Sequence, residues 1–243
     1  MLERRTTLSM CMEPTACREK VDDRTLELRF MHGQSYGFNA YFAGDTVAFV
    51  KASTMERFAM ATVTSVKRLT DRTVEVALDR PVPQALELDH DCVENMSCTP
   101  EVEIRNCHFT RTSTRGTLMT TPRKVVIAGN TYYKTGMSAI LIEGDAEGWY
   151  ESGPVKDVLI ENNTFIDCAY NGGPENAVIA LHPSNTVWMP TVPYTGMYAS
   201  SATASNLPEI RCSMPRVRKD WYSRIMKWNC CQTRMLSKKN CLS

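Results

Sequence analysis

Val102-Glu-Ile-Arg-Asn-Cys-His-Phe109 is followed by Val125-Val-Ile-Ala-Gly-Asn-Thr-Tyr132 and then by Val158-Leu-Ile-Glu-Asn-Asn-Thr-Phe165. The three stretches share one phrase, Val-x-Ile-x-x-Asn-x-aromatic, with Cys107 standing where Asn130 and Asn163 stand in the later copies. Their starts lie about 23 and then about 33 residues apart, so the second interval carries an insertion. Alternate apolar residues face inward from a short strand, the Asn takes the turn and can form a side-chain ladder, and the aromatic opens the next inward-facing segment. Each copy buries its apolar face only by stacking on the next. The phrase keeps its register through all three copies, which favours a right-handed parallel β-helix over ordinary hairpins across Glu101 to Pro183.

Upstream, Asp23 to about Glu94 has a different texture. Leu26, Leu28 and Phe30 alternate with Glu27 and Arg29, and Val74, Val76 and Leu78 alternate with Glu75 and Ala77. Thr46–Lys51 and Ala61–Leu69 are β-branched runs, punctuated by Gly33, Gly37, Gly44-Asp45, Thr70-Asp71-Arg72 and Pro81-Val82-Pro83. Short strands at this spacing predict a small antiparallel barrel or sandwich. His32 and Tyr36 fall in a glycine-bounded loop, where contact with a ligand and plain solvation both stand as readings. The fold class is therefore all-β: a parallel β-helix fragment with an inserted antiparallel barrel and irregular ends.

Composition adds mainly exclusions. The 243 residues carry a formal net charge of +1, which gives no support for a nucleic-acid partner or a charged membrane surface. No apolar run approaches the roughly 18 residues of a membrane span, and residues 1–20 lack the apolar core of a signal peptide. Ten cysteines without a CxxC pair suggest neither a zinc site nor a disulfide framework. No metal and no cofactor are expected.

The insertion between the second and third copies, Ser138 to Gly153, mixes Glu143, Asp145, Glu147 and Glu151 with Trp149 and Tyr150. Aromatic faces stack on the C–H faces of sugars and carboxylates accept sugar hydroxyls, so this mixture suits a saccharide; a solvated acidic loop anchored by its Trp is the competing reading. Arg115-Gly-Thr-Leu-Met-Thr-Thr-Pro122, the loop Gly144 to Gly153, the stretch Val158 to Cys168, Asn176-Ala-Val-Ile-Ala-Leu-His-Pro183 and Leu26 to Val50 together resemble glycoside hydrolase family 110. The resemblance covers about Val21 to Val187. It implies a secreted or periplasmic, metal-independent exo-α-galactosidase that removes terminal α-1,3-linked galactose, as on blood-group-B-type glycans, with inversion. Terminal α-galactosyl glycan is accordingly the expected partner.

Inversion requires two carboxyl groups roughly 6.5–9.5 Å apart, one as acid and one activating water. In the family these aspartates lie upstream of the barrel, in phrases like Asp-Ala-x-His-Phe and Asp-Asp-Ala-Ile-Asn-Val-His-Gly. Neither phrase occurs in this chain. No catalytic residue is therefore assigned, and the chain is expected to be inactive. Arg115, Asp145, Trp149 and Glu151 are the expected substrate-side residues: the carboxylates as acceptors, Trp149 as a stacking face, Arg115 as an orienting cation. The alternative makes Arg115 a turn residue and leaves Asp145 and Glu151 only holding their loop. A non-catalytic glycan-binding or structural fragment is the second reading of the chain. Another β-helix polysaccharide-degrading enzyme is the third, but a lyase would need clustered Asp ligands or a basic face, and the sequence shows neither.

The missing phrase is expected one frame away. Joining the third base of each codon to the first two of the next, Arg5 to Thr15 can regroup to Asp-Asp-Ala-Ile-Asn-Val-His-Gly-Thr-Tyr, with the Val and Gly forced by Met10-Cys11 and Met12-Glu13. Pro193 to Ser205 can regroup to a stretch containing Val-x-Ile-x-x-Asn-x-Phe, and Lys219 to Trp228 to Gly-Leu-Val-Phe-x-Asn-Asn-Glu-Val, which fits the same phrase with Leu first and Val last. The expected organisation is residues 1–20 out of frame, 21–95 barrel insertion, 96–187 β-helix coils and 188–243 out of frame. Cys11, Cys17, Cys212, Cys230, Cys231 and Cys241 then carry no evolved chemistry. Cys92, Cys98, Cys107 and Cys168 remain, with Cys107 expected as a small buried packing residue.

Overall fold

A computed structural model describes residues 8–10, 15–33, 36–148, 150, 153–171, 177–183 and 197–205. These residues are almost entirely strand and turn. The helical exception is one turn of 3₁₀ helix, Met96–Cys98, capped by Asn95, whose side chain accepts from Ser97 N. Among the described residues no helix is long and apolar enough to cross a membrane.

The first large unit is a closed antiparallel barrel of β2 (Thr15–Lys20), β3 (Thr25–Arg29), β4 (Thr46–Val50), β5 (Arg57–Arg68), β6 (Thr73–Leu78) and β7 (Cys92–Asn95). Around the barrel the strands follow the order β2-β3-β6-β5-β4-β7. Period-two alternation does the sorting, because successive side chains of a strand point to opposite faces. Leu26 and Leu28 go inward beside Val74, Val76 and Leu78, and Phe49, Val47, Ala61, Val63 and Val93 complete the core. Thr15 and Tyr41 are buried polar groups in this wall; their hydroxyls lie 2.8 Å apart, and Tyr41 donates to Val93 O. Cys17 sits in the same core, where burial pushes its thiol well above the ordinary range. Full closure leaves the barrel no open sheet edge.

The remaining strands run parallel, and the repeated phrase governs them. One sheet stacks β8 (Val102–Arg105), β11 (Val125–Ala128) and the first half of β14 (Val158–Ile166), with Val102, Val125 and Val158 in register and Ile104, Ile127 and Ile160 beside them. A continuation stacks β9 (His108–Thr110), β12 (Thr131–Tyr133) and the second half of β14. Here Phe109 and Tyr132 lie 4.8 Å apart and Tyr132 and Phe165 5.3 Å apart, both nearly parallel. A second sheet holds β1 (Leu8–Met10), β10 (Thr117–Met119), β13 (Ile140–Gly144) and β15 (Ile179–Pro183). A last strand, β16 (Met197–Ser205), pairs with β14. The inward faces of these sheets share one apolar core.

The Asn of the phrase forms the expected ladder. Asn130 Nδ2 donates to Ile104 O and its Oδ1 accepts from Cys107 N, while Asn163 Nδ2 donates to Ile127 O and its Oδ1 accepts from Asn130 N. Each amide thus reaches back one copy. The bend itself is made one residue earlier: Asn106, Gly129 and Asn162 have φ of 52°, 66° and 53°. Those are residue types that tolerate the left-handed region. At Gly129 a Cβ would also stand 2.6 Å from Asn106 Oδ1, so the close approach requires glycine.

Two expectations are corrected. Cys107 is exposed, not buried. Side chains at this position point back toward the preceding copy, and no described copy precedes the first. The ends are also not wholly irregular, since Leu8–Met10 and Met197–Ser205 are strands paired into the two sheets.

Candidate functional site

The outer face of the second sheet gathers polar groups because parallel pairing stacks like positions. Ile140, Ile142, Ile179 and Leu181 point into the core, which leaves Leu141, Glu143, Ala180 and His182 on the outer face. Leu118, Leu141 and Ala180 form a covered apolar strip with Ala177. Next to it, Glu143 pairs in register with His182, and His182 Nδ1 lies 3.1 Å from Glu143 Oε1. The carboxylate is mostly buried (15% exposed) while the imidazole stays 41% exposed. The pair sets a carboxylate acceptor beside an imidazole whose donor and acceptor roles follow its tautomer.

Asp145 follows directly where β13 ends. It is buried, and its Oδ1 accepts from Glu147 N at 2.8 Å and Gly148 N at 2.7 Å. This geometry folds the start of the acidic loop into a tight turn. One carboxylate oxygen is therefore committed to the backbone, which favours a loop-holding role. Glu147 is exposed beside it. Tyr150 adopts a φ of 58°, rare for a bulky residue, and packs against Val50, Ala52, Met55, Cys92 and Ala146. Burial, with the negative groups of Asp145 and Glu147 nearby, pushes its phenol up to about 12.

Trp149 and Glu151 lie outside the described residues. Arg115 is half-buried at the opposite end of the sheet. It precedes Gly116, whose N–H bonds to Ser138 O, so it aligns with Ser138, seven positions before Asp145. At ~3.3 Å per residue that is about 20 Å along the strands. Arg115 and Asp145 are thus not brought together around one sugar ring. His182 was missed by residue-type reasoning. Its signal was a second, fainter repeat, Ile140-x-Ile142-Glu143 against Ile179-x-Leu181-His182. Among the described residues no group of three or more His, Cys, Asp or Glu side chains could hold a metal ion.

A closed barrel joined to parallel stacked strands, with a carboxylate–imidazole pair and an acidic loop on one outer face, defines an all-β protein. Residues 25–93 match the family described as GLAA-B beta-barrel domain II. The chain is 80% identical over 169 residues to alpha-1,3-galactosidase A of Bacteroides fragilis, a match covering 70% of this chain and 28% of that protein. It is 42% identical over 168 residues to alpha-1,3-galactosidase A of Bacteroides thetaiotaomicron (69% and 28% covered), and 44% identical over 158 residues to that of Akkermansia muciniphila (65% and 25% covered). Through its matched part the chain is similar to these alpha-1,3-galactosidases. It spans about 28% of the length of the first of these relatives.

Proposed function

We propose that this chain carries the barrel and part of the glycan-binding face of an inverting exo-α-1,3-galactosidase built on a right-handed parallel β-helix. The 80% identity to a named alpha-1,3-galactosidase over 169 residues is the observation that carries the reading. In-register stacking of Val-x-Ile-x-x-Asn-x-aromatic copies, joined by an Asn ladder, supports the β-helix. Terminal α-linked galactose is the substrate class. Glu143 and His182 offer a donor and an acceptor for its hydroxyls. Trp149 supplies a stacking face and Glu151 a further acceptor, while Asp145 shapes the loop. Arg115 acts on more distant substrate atoms. The intact protein is secreted or periplasmic.

As it stands, the chain does not hydrolyse the bond, because the family's aspartate phrases are absent from it. We infer that they are encoded in another frame. The pairing of β16 supports this: Met197, Ala199, Ala202 and Ala204 stand opposite Val158, Ile160, Asn163 and Phe165. The regrouped triplets starting in those four codons read Val (forced by Met197-Tyr198) and permit Ile, Asn and Phe. The regrouped stretch would therefore continue the phrase in the register that β16 occupies.

Two measurements test the reading. Isothermal titration of the full chain with methyl α-galactoside should show weak binding, and p-nitrophenyl α-galactoside should not be turned over. Turnover would refute the assignment of catalysis to residues absent from this chain. Nucleotide sequencing should find codons under Thr6 to Glu13 that regroup to Asp-Asp-Ala-Ile-Asn-Val-His-Gly; any other regrouping sinks the frame argument.

A further inference from the structure

Resting on the glycan-binding reading, we propose that the barrel positions the acidic–aromatic loop for substrate, with Arg57 and Glu94 as its positioning residues. The loop is fixed to the barrel wall at both ends. At its start, Ala146 is buried in a small apolar cluster with Val50, Ala52, Met55 and Cys92, and its carbonyl accepts from Cys92 Sγ at 3.2 Å. At its far end, Arg57 opens β5 and Glu94 lies on β7, with side chains 11% and 1% exposed. Arg57 Nε donates to Glu94 Oε2 at 2.8 Å, and Nη2 lies 2.6 Å from the same oxygen. Arg57 Nη1 reaches out of the barrel and donates to Pro154 O at 2.8 Å. The stretch containing Trp149 and Glu151 runs between these two anchors.

The chemistry of the clamp argues for positioning over simple cohesion. Burying a guanidinium and a carboxylate together costs the hydration of both, and well-packed apolar residues serve stability as well or better. Burial does push the Glu94 carboxyl above its usual range, against the opposing pull of Arg57 and the Gly153 N–H. Glu94 Oε1 is buried without a hydrogen-bond partner among the described residues. What the pair supplies is direction, since a planar fork held on one carboxylate aims its remaining N–H groups at a fixed point. That point is the Pro154 carbonyl. Gly153 completes the fit: a Cβ there would lie 2.9 Å from Glu94 Oε2, 3.0 Å from Arg57 Nη2 and 3.1 Å from Val50 Cγ2. The loop therefore sits flush on the clamp only as glycine.

The test uses the full chain with Gly153→Ala, Arg57→Lys and Glu94→Gln. Gly153→Ala changes no charge and Arg57→Lys keeps the charge but loses the fork, so both stay informative if Glu94→Gln does not fold. Three readouts are taken: chymotryptic cleavage after Trp149 and Tyr150, affinity for methyl α-galactoside, and hydrogen exchange of β3 and β6 amides. Gly153→Ala and Arg57→Lys should each speed cleavage and weaken binding about tenfold, while barrel exchange is unchanged. Unchanged cleavage overturns the clamp, and faster cleavage with unchanged affinity overturns its role toward substrate. If the parent chain binds no methyl α-galactoside, the glycan reading and the substrate half of this proposal both fall. The cleavage rates then decide separately whether the barrel anchors the loop.

Discussion

The barrel and the stacked strands use the same kind of residues to solve opposite problems. In the barrel every strand has two partners and the sheet closes, so Leu26, Phe49 and Val76 share one core that belongs to no single hairpin. In the stacked region each copy touches only its neighbours, and its cohesion is repeated copy by copy through the valine, isoleucine, amide and aromatic columns. Loss of one contact should therefore weaken the barrel as a whole but uncouple the stack at one junction. Cys107 illustrates the second behaviour: in the first described copy it is exposed, whereas Asn130 and Asn163, each bonded to the copy before, are buried.

That contrast can be broken by mutation. The largest effect is expected from Phe49→Ala, which empties a fully buried site of the barrel. A cost of about 3–5 kcal/mol follows from the lost burial and the residual cavity. Hydrogen exchange should quicken across β3 to β7 together while Ile127 and Ile160 keep their protection. Equal loss in both regions would mean that the two behave as one cooperative unit.

Asn163→Ala comes next, at about 2–4 kcal/mol, because it leaves Ile127 O and Asn130 N without the amide that serves them. Exchange should rise around β11, β12 and β14, and barrel amides should not respond. A response spread evenly over the chain would contradict the copy-by-copy picture.

The smallest effect concerns acid. Asp79 accepts from Thr62 N and pairs with Arg80, and these contacts, Arg80 first, hold its carboxyl down to about 2. Its folded value lies below the unfolded one, so its contribution to the barrel is fully present above the ordinary carboxylate range and fades as pH falls from about 4 toward 2. NMR titration should find Asp79 still ionised at pH 3. Asp79→Asn should flatten this part of the acid dependence of the barrel transition and leave the stacked region alone. An Asp79 midpoint near 4 would remove the basis for the expectation.

Much of this was legible in the sequence, for reasons that differ by region. Alternation marked β3 and β6, because a half-buried strand writes its two faces into successive residues. The Val-x-Ile-x-x-Asn-x-aromatic phrase marked the stack and its ladder, since identical positions meet when copies are laid in register. Strand β7 was not singled out: Cys92-Val-Glu-Asn95 has no alternation, and all four of its residues are buried. Charge pattern drew attention to Asp145 but not to its turn, and residue type alone left His182 unremarked. Arg115 and Asp145 look close in the chain's chemistry, yet they fall at opposite ends of one sheet.

By itself the sequence determined which residues repeat, which alternate and which family phrases are present or missing, because these follow from local periodicity and residue type. Tertiary structure alone decided that Glu143 meets His182, that Arg57 reaches Pro154 from the barrel, and that Asp145 spends its carboxylate on its own loop. Those pairings join residues 39, 97 and 2–3 positions apart. The two distant ones depend on how whole sheets register and on where the barrel docks. No local pattern encodes that geometry; it is set only when the separate cores are packed.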